Sequence, residues 1–532
     1  MLRLKNLRVP LTDDTPLLYL VAKRLKISPS ELNAVSIIRQ AIDARRKNKL
    51  SFVYTIEVDL KNGQETIPAH LFHDTDISLV TLPEPQPLIF GTQELSQPPV
   101  VVGAGPCGLF AAYTLAKYGY KPLLLERGHA VDKRAQAVAE FWRTGVLDET
   151  SNAQFGEGGA GTFSDGKLTT RVNDSAMSAI LDVLVKAGAP PEIKYQHKPH
   201  IGTDKLKAIV KNIRQEIIAH GGTVRFGACL TDISLADGKI NAITVNHTEK
   251  IPCGALFLAI GHSARDTYAM LSGKLELAAK NFAIGLRIEH PQELIDQAQY
   301  GPFAGHPKLG AADYALTYQD KASGRAAYSF CMCPGGVVVA AASEQGQVVT
   351  NGMSNYQRNS GFANSALIVP VGAADFGSGT LGGIEFQRRY EKLAFALGGG
   401  SYAAPVQAVA GFLQGQSTTT PFLSEPSYTC GVRRADLNQC LPGTVAAVLK
   451  NALLDFGRKI KGFDHPQAVL TGVETRTSAP VRILRGADFQ ALNLTGIYPV
   501  GEGAGYAGGI MSAALDGRSA ALSFLQQFKP IS

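Results

Sequence analysis

Pro99-Val100-Val101-Val102-Gly103-Ala104-Gly105-Pro106-Cys107-Gly108 runs from an apolar strand signal straight into the spacing G-x-G-x-x-G. Residues 109–118 then read as an apolar helix closed by Gly119. Pro122-Leu123-Leu124-Leu125 reads as a second strand, ending at Glu126. Each part has a mechanical purpose. Gly103 makes the tight turn, Gly105 lets a pyrophosphate approach the backbone, and Gly108 lets the helix lie against the strand. The helix N-terminus offers unpaired N–H groups to phosphate. Pro106 fits the first turn, where its missing N–H costs nothing. Glu126 stands 18 residues beyond Gly108, where an acid for ribose hydroxyls belongs. Two other copies of the spacing, at 156–161 and 503–508, lack this context. The first follows no strand, and no second strand and acid follow the other. Only the copy at 103 predicts a dinucleotide-binding unit.

Outward from that unit the chain divides by texture. At roughly 150 residues per domain, 532 residues predict three or four domains. A hydrophobic content of 45% against 18% charged residues excludes global disorder. The 55 glycines exceed the usual share and predict many tight loops. Residues 1–92 read as a small α+β domain, with strands near residues 2–7 and 52–60 and a helix opened by Pro16. Residues 83–99 are Pro-rich and read as a linker. Residues 98–275 and 471–532 read as the α/β cofactor domain. Residues 276–470 read as an inserted mixed α+β substrate domain, with strand-like pieces at 314–318, 326–331, 337–342 and 366–371 and helices at 382–397 and 444–456. The fold class is therefore α/β, a Rossmann-like domain with an insertion and a small N-terminal addition.

A net charge of +7 is mild for this length and does not itself imply nucleic acid. The charge is segregated, however. Residues 1–61 hold twelve Lys and Arg against six acids, and residues 62–97 hold no Lys or Arg. Arg45-Arg46-Lys47-Asn48-Lys49 reads as a solvated turn, with RNA or an acidic partner as the alternative. Low aromatic content in this segment argues against a base-stacking platform. Seven widely spaced cysteines do not form a disulfide framework and predict a reducing compartment. No apolar run approaches a membrane span, and the N-terminus has no secretory pattern, so a cytoplasmic protein is expected.

Further motifs select the dinucleotide. Leu256-Phe257-Leu258-Ala259-Ile260-Gly261 resembles the strand and turn of the glutathione-reductase-related flavoproteins that pass the adenosine half of FAD. Thr495-Gly496-Ile497-Tyr498-Pro499-Val500-Gly501-Glu502 resembles their late motif T-x-x-x-hydrophobic-x-x-G-D, with Glu502 in place of the Asp that holds the ribityl hydroxyls. Gly508-Gly509-Ile510 opens the last helix, expected at the pyrimidine edge of the flavin. Gln154-Phe155-Gly156-Glu157-Gly158-Gly159-Ala160-Gly161-Thr162-Phe163-Ser164-Asp165-Gly166-Lys167-Leu168, with Cys331-Met332-Cys333-Pro334-Gly335-Gly336, resembles a bacterial family known only as uncharacterised FAD-dependent dehydrogenases. That likeness extends over nearly the whole chain. It implies FAD as cofactor, with the amides around Gly158, Gly159, Ala160, Gly161 and Thr162 beside the ring. By the same likeness Arg127 and Arg134 follow the second strand, where Arg134 either neutralises pyrophosphate or is an ordinary surface residue. The adenine is placed beside the strand ending at Leu230.

Four side chains are candidates for the chemistry. Cys331 and Cys333 share one face of a strand and form either a redox-active pair or two packing residues. His262, after the Gly261 turn, serves in proton transfer or is held structurally. Arg476 binds an anionic substrate or is a strand arginine. Asp165, Lys167 and Glu157 are further acid–base options. No metal ligand set is evident. The expected activity is an FAD-dependent oxidoreductase passing hydride through flavin N5, with a small organic substrate. The reductant is left open among transient NAD(P)H, a protein donor and the substrate itself. A thiol-linked flavoprotein, a tRNA-modifying flavoenzyme and a non-catalytic FAD-binding protein stand as alternatives.

Overall fold

The computed structural model describes residues 1–61, 71, 73–80, 87–170, 176–416 and 419–531. Residues 83–86 of the expected linker lie outside the described residues. The chain forms two compact units, the first comprising Met1–Leu88, Pro190–Pro199 and Asp296–Ala312 and the second the remainder.

The first unit is built on a four-stranded sheet in the order Leu32–Asp43, Ser51–Leu60, Leu2–Pro10, Ile77–Leu79. The pairings are antiparallel. Alternation in the first strand turns Leu2, Leu4, Leu7 and Val9 inward, where they meet Ile56, Val58 and the helix Leu17–Leu25. The segments 190–199 and 296–312, which the sequence reading placed in the other domains, belong to this unit. The amide of His197 donates to the Gln40 carbonyl at 2.9 Å, and Gln40 N to Tyr195 O at 2.8 Å. Lys308 Nζ donates to the carbonyls of Leu11 and Asp13, each at 3.0 Å. Several of the basic side chains of residues 1–61 are ion-paired within the unit: Arg3 with Glu57, and Arg8 and Arg45 with Asp43.

The second unit starts from a parallel sheet in the order Ile497–Pro499, Leu256–Leu258, Val100–Val102, Leu123–Glu126, Thr223–Phe226. Its strands Leu256–Leu258 and Val100–Val102 are apolar at every position because both faces are covered. The helices Pro106–Lys117 and Ile510–Leu525 pack together on one face. Gly517 permits that approach, since a Cβ there would lie 2.1 Å from the Cys107 carbonyl oxygen. A three-stranded antiparallel meander, Leu230–Ala236, Lys239–Val245 and Glu249–Pro252, covers the core at Leu230, Ile233, Ile243 and Val245. A seven-stranded sheet runs Thr317–Gln319, Ala326–Cys333, Phe362–Val371, Phe282–Pro291, Val469–Glu474, Ala404–Ala408, Val432–Arg434. Its helices are Gly382–Leu397 and Gly443–Lys459. Four of these strands, Phe282–Pro291, Ala404–Ala408, Val432–Arg434 and Val469–Glu474, were absent from the sequence reading.

Candidate functional site

The glycine turn is built by close approach. Gly103 adopts φ +102°, and a Cβ there would lie 2.3 Å from the Ala259 carbonyl oxygen. A Cβ on Gly108 would lie 1.8 Å from Gly103 O, so only glycine lets the helix start this close to the strand. Gly105 is different. It caps the helix ahead of Pro106, and a Cβ there meets only the Gly159 Cα at 3.7 Å. Ala259 is buried beneath the turn. Cys107 is buried too, and a Cβ on Gly501 would meet its own Cβ at 2.7 Å. Burial pushes the Cys107 thiol well up, so its side chain packs the helix while its backbone opens the first turn.

Glu126 is 5% exposed and accepts three amide hydrogen bonds, from Ala104 at 2.7 Å, Gly128 at 2.9 Å and Gly156 at 3.0 Å. The carboxylate thus ties the glycine turn to the second glycine-rich loop. A carboxylate offers about four acceptor positions, so room for a ribose hydroxyl remains. Of the two arginines, Arg134 does not go where it was expected. Arg134 is wholly buried. Its guanidinium donates to the carbonyls of Asn152 (2.9 Å), Ala153 (3.1 Å), Gly156 (3.3 Å), Glu157 (2.7 Å) and Gly159 (2.9 Å). It is neither a surface residue nor a pyrophosphate ligand; it is the peg around which the loop folds. Arg127 forks onto Asp266 at 3.0 Å and lies 4.4 Å over the Phe155 ring.

That loop brings the expected flavin-side residues together. Gly158 has φ +85° and donates to Ala104 O at 2.8 Å. A Cβ at Gly161 would meet Ile510 Cγ1 at 3.1 Å, and one at Gly159 the Gly105 Cα at 3.0 Å. Ala160 and Thr162 belong to the 3-10 turn Ala160–Phe163, and the buried Thr162 hydroxyl donates to Glu157 O at 3.4 Å. Glu157 is buried against Arg214 at 2.9 Å and accepts from Val131 N, so it is not an available acid. Leu230 sits with its side chain in the hydrophobic core. Whatever it offers adenine is backbone only.

The late motif holds an unsatisfied group. Gly261 and Gly503 pack together, a Cβ on Gly503 lying 2.6 Å from Gly261 N, and Tyr268 pins both turns by donating to their carbonyls. The partly exposed Glu502 carboxylate makes no hydrogen bond or ion pair among the described residues, while the Glu502 carbonyl accepts from Gly505 N at 3.0 Å. Burial pushes its carboxyl up to about 7, against the weaker opposing charge of Lys280. Gly508 and Gly509 face open space at the start of Ile510–Leu525. An orphaned carboxylate beside an open helix start and a glycine cradle is a fit for a polyol chain and a planar ring system. Glu502 would take the ribityl hydroxyls, the amides around 158–162 and 508–510 the ring, and Gly105–Pro106 the pyrophosphate.

The predicted catalytic side chains fall into two groups. His262 and Arg476 belong to a buried ionic network that the sequence reading missed. Arg265 forks onto Glu391 at 2.9 and 2.7 Å and reaches Glu344 at 2.7 Å. Arg476 donates to Glu391 from Nε and Nη2, both at 3.2 Å, and to the hydroxyls of Ser263 and Ser343. Four hydrogen bonds thus tie its guanidinium into the protein, and it is buried, which corrects the reading of an exposed strand arginine. His262 lies 2.8 Å from the Ser263 hydroxyl. Burial, then the charges of Arg476 and Arg265, push its imidazole down to about 3. It is neutral across physiological pH and is no imidazolium acid.

Cys331 and Cys333 form the second group, in a bulge where the strand slips register against its neighbour between Phe330 and Cys333. Arg287 is fully buried, forks onto Glu474 at 3.1 and 3.0 Å, and donates to Cys331 O at 3.2 Å and Asn364 Oδ1 at 2.7 Å. Asp165 is held by Arg358 at 3.0 and 2.6 Å. Among the described residues no group of three or more His, Cys, Asp or Glu could hold a metal ion, and no helix is long and apolar enough to cross a membrane.

Comparison with known proteins follows the same division. Residues 281–477 match the family described as FAD-dependent protein, C-terminal domain-like. Residues 101–134 match the NAD(P)-binding Rossmann-like domain, and residues 1–59 match a domain of unknown function. An uncharacterised protein of Clostridium beijerinckii is 52% identical over 530 residues, covering 99% of both chains. Among solved structures, the halogenase PltM in complex with phloroglucinol and FAD is 11% identical over 81% of this chain and 71% of its own, at a TM-score of 0.37. A geranylgeranyl bacteriochlorophyll reductase-like protein of Thermoplasma acidophilum is 14% identical over 79% and 76%, at a TM-score of 0.32. Scores this low carry no weight for the reaction. The chain belongs to the family of FAD-dependent proteins that its C-terminal match and its Clostridium relative define, and FAD is its cofactor.

Proposed function

We propose that the protein is an FAD-dependent oxidoreductase acting on a small organic molecule. The observation that carries this reading is the unpartnered Glu502 carboxylate beside the open glycine segment 508–509. When bound, FAD supplies two-electron chemistry at its ring, with hydride passing through N5. The chain's own residues supply position and electrostatics. Arg134 holds the loop at 156–161 in shape, and with it the amides of Ala160 and Gly161, which would serve the ring. Glu126 fixes the glycine turn and that loop to one another. The Arg265–Glu391–Arg476 network holds the segment 262–265 rigid and keeps His262 neutral. A neutral imidazole there can accept or donate one hydrogen bond without carrying charge. The likeness of the three cofactor motifs to glutathione-reductase-related flavoproteins supports the same reading. The reductant is a nicotinamide dinucleotide, a protein donor or the substrate.

The test is an anaerobic absorbance titration of the purified protein with NADH and then NADPH. A flavin band that bleaches with either identifies a nicotinamide-driven reductase. A band that persists with both directs the search to substrate or protein donors. Purified protein with no flavin band that also fails to take up added FAD overturns the reading.

A further inference from the structure

Two thiols stand one residue apart in a bulged strand, and the structure treats them unequally. Cys331 is partly exposed and adopts φ +43°, a backbone conformation costly for a side chain with a Cβ. Cys333 is fully buried. The Cys333 thiol lies 3.4 Å from the Cys331 carbonyl oxygen, in the same bulge. Gly352 leaves room for the cluster: a Cβ there would fall 2.2 Å from Arg287 Nη1, 2.6 Å from Asn364 Oδ1 and 2.7 Å from Cys333 Sγ. Arg287 and Lys167 supply positive charge to Cys331, while Glu474 and Asp165 supply the opposing negative charge to the pair. The Cys333 thiol, then Arg287 and Lys167, draw the Cys331 thiol below the usual range, and burial with the neighbouring thiolate drives Cys333 up. The other five cysteines are all raised by burial. Cys331 is therefore the one cysteine whose surroundings favour the nucleophilic thiolate.

We propose that Cys331 and Cys333 form a thiol–disulfide exchange site for a small organic disulfide, with Cys331 as the attacking thiolate and Cys333 as the resolving thiol. The Cys331 sulfur bonds to one sulfur of the substrate, breaking its S–S bond and releasing one thiolate. Cys333 then attacks the Cys331 sulfur, forming the protein disulfide and expelling the second fragment. The Cys333 proton leaves with that fragment, so one exchange yields one thiolate and one thiol. The protein dithiol is oxidised by two electrons and the substrate disulfide is reduced by two. A ring closed across a single intervening residue is strained, and strained disulfides are the readily reduced ones. The exchange needs no flavin, so it stands or falls separately from the oxidoreductase reading.

The test treats the purified, FAD-loaded protein with dithionitrobenzoate, whose released thiolate is coloured, and follows absorbance and intact mass. The expected result is a fast phase releasing about two thiolates per chain with no reagent left on the protein. Digestion then yields a peptide with Cys331 and Cys333 linked. The Cys333→Ser variant stops after about one thiolate, with the adduct on Cys331, and Cys331→Ser slows the fast phase by on the order of tenfold or more. A first adduct on Cys229 or Cys430 in the unaltered chain, or a mixed disulfide on Cys331 that persists there, overturns the proposal. The unaltered chain supplies that readout even where a variant does not fold.

Discussion

Glu502 occupies a position where the related motif carries Asp, one methylene shorter, and no side chain or backbone group answers it. A carboxylate partly withdrawn from water without a partner is disfavoured in its charged form, and it resists that cost by keeping its proton. The sign follows. The folded-state value, about 7, lies above the ordinary one, so protonation favours the fold. The contribution of this group to the FAD-free fold is complete near pH 4 and is lost as the pH rises through 7. Glu502→Gln removes the titration. We expect the FAD-free variant to unfold a few degrees above the parent at pH 8, the gap closing toward pH 4. The same variant should bind FAD on the order of tenfold more weakly, the loss of one charge-assisted hydrogen bond. Scanning fluorimetry at several pH values and a flavin titration check both. Equal melting curves at pH 8 would remove the desolvated carboxylate from the account. Glu502 was legible because its motif fixes its place. The fate of Arg134 was not, because spacing locates a guanidinium along the chain without saying which carbonyls fold back onto it.

At the level of the element, the three glycines of the first turn separate packing from ligand contact. Gly108 faces backbone at a distance no Cβ can occupy, whereas a Cβ on Gly105 would make only an ordinary contact with the Gly159 Cα at 3.7 Å. Gly108→Ala must push the helix Pro106–Lys117 off its strand, so we expect it to lower both the melting temperature of the FAD-free protein and FAD binding. Gly105→Ala should leave the first within about 0.5 kcal/mol and impair only the second, because its Cβ crowds the cofactor and not the protein. Thermal melts of the FAD-free proteins paired with FAD titrations separate the two. An equal loss of stability in both variants would contradict the geometry. The parallel strands around this turn were legible because burial on both faces leaves an unbroken apolar run. Phe282–Pro291 was not. It lies in the middle of its sheet, yet carries Arg287, Glu289 and His290, all buried. Arg287 is neutralised by Glu474, and His290 bonds the Phe463 carbonyl. Both partners lie far along the chain, so no local pattern announces a core strand.

On the scale of the whole molecule, the texture change near residue 92 suggests an N-terminal domain that could be cut away at the Pro-rich segment. The pairing of the chain argues otherwise. The edge strand Leu32–Asp43 takes its outer hydrogen bonds from residues 195 and 197, and the carbonyls of Leu11 and Asp13 are capped by Lys308. Composition cannot reveal such pairings, because both later segments look like ordinary loops where they stand in the sequence. A chain beginning at residue 89 would leave 190–199 and 296–312 without the sheet they fold on, exposing backbone groups that are paired in the intact protein. We therefore expect that truncation to lower soluble yield and to make both segments the first sites cut by a nonspecific protease, with the full-length chain resistant at the same positions. Mass mapping of a limited digest decides the matter. Equal protection of 190–199 and 296–312 in the two chains would mean that these segments are held by the second unit alone, and that the N-terminal sheet is a separable addition after all.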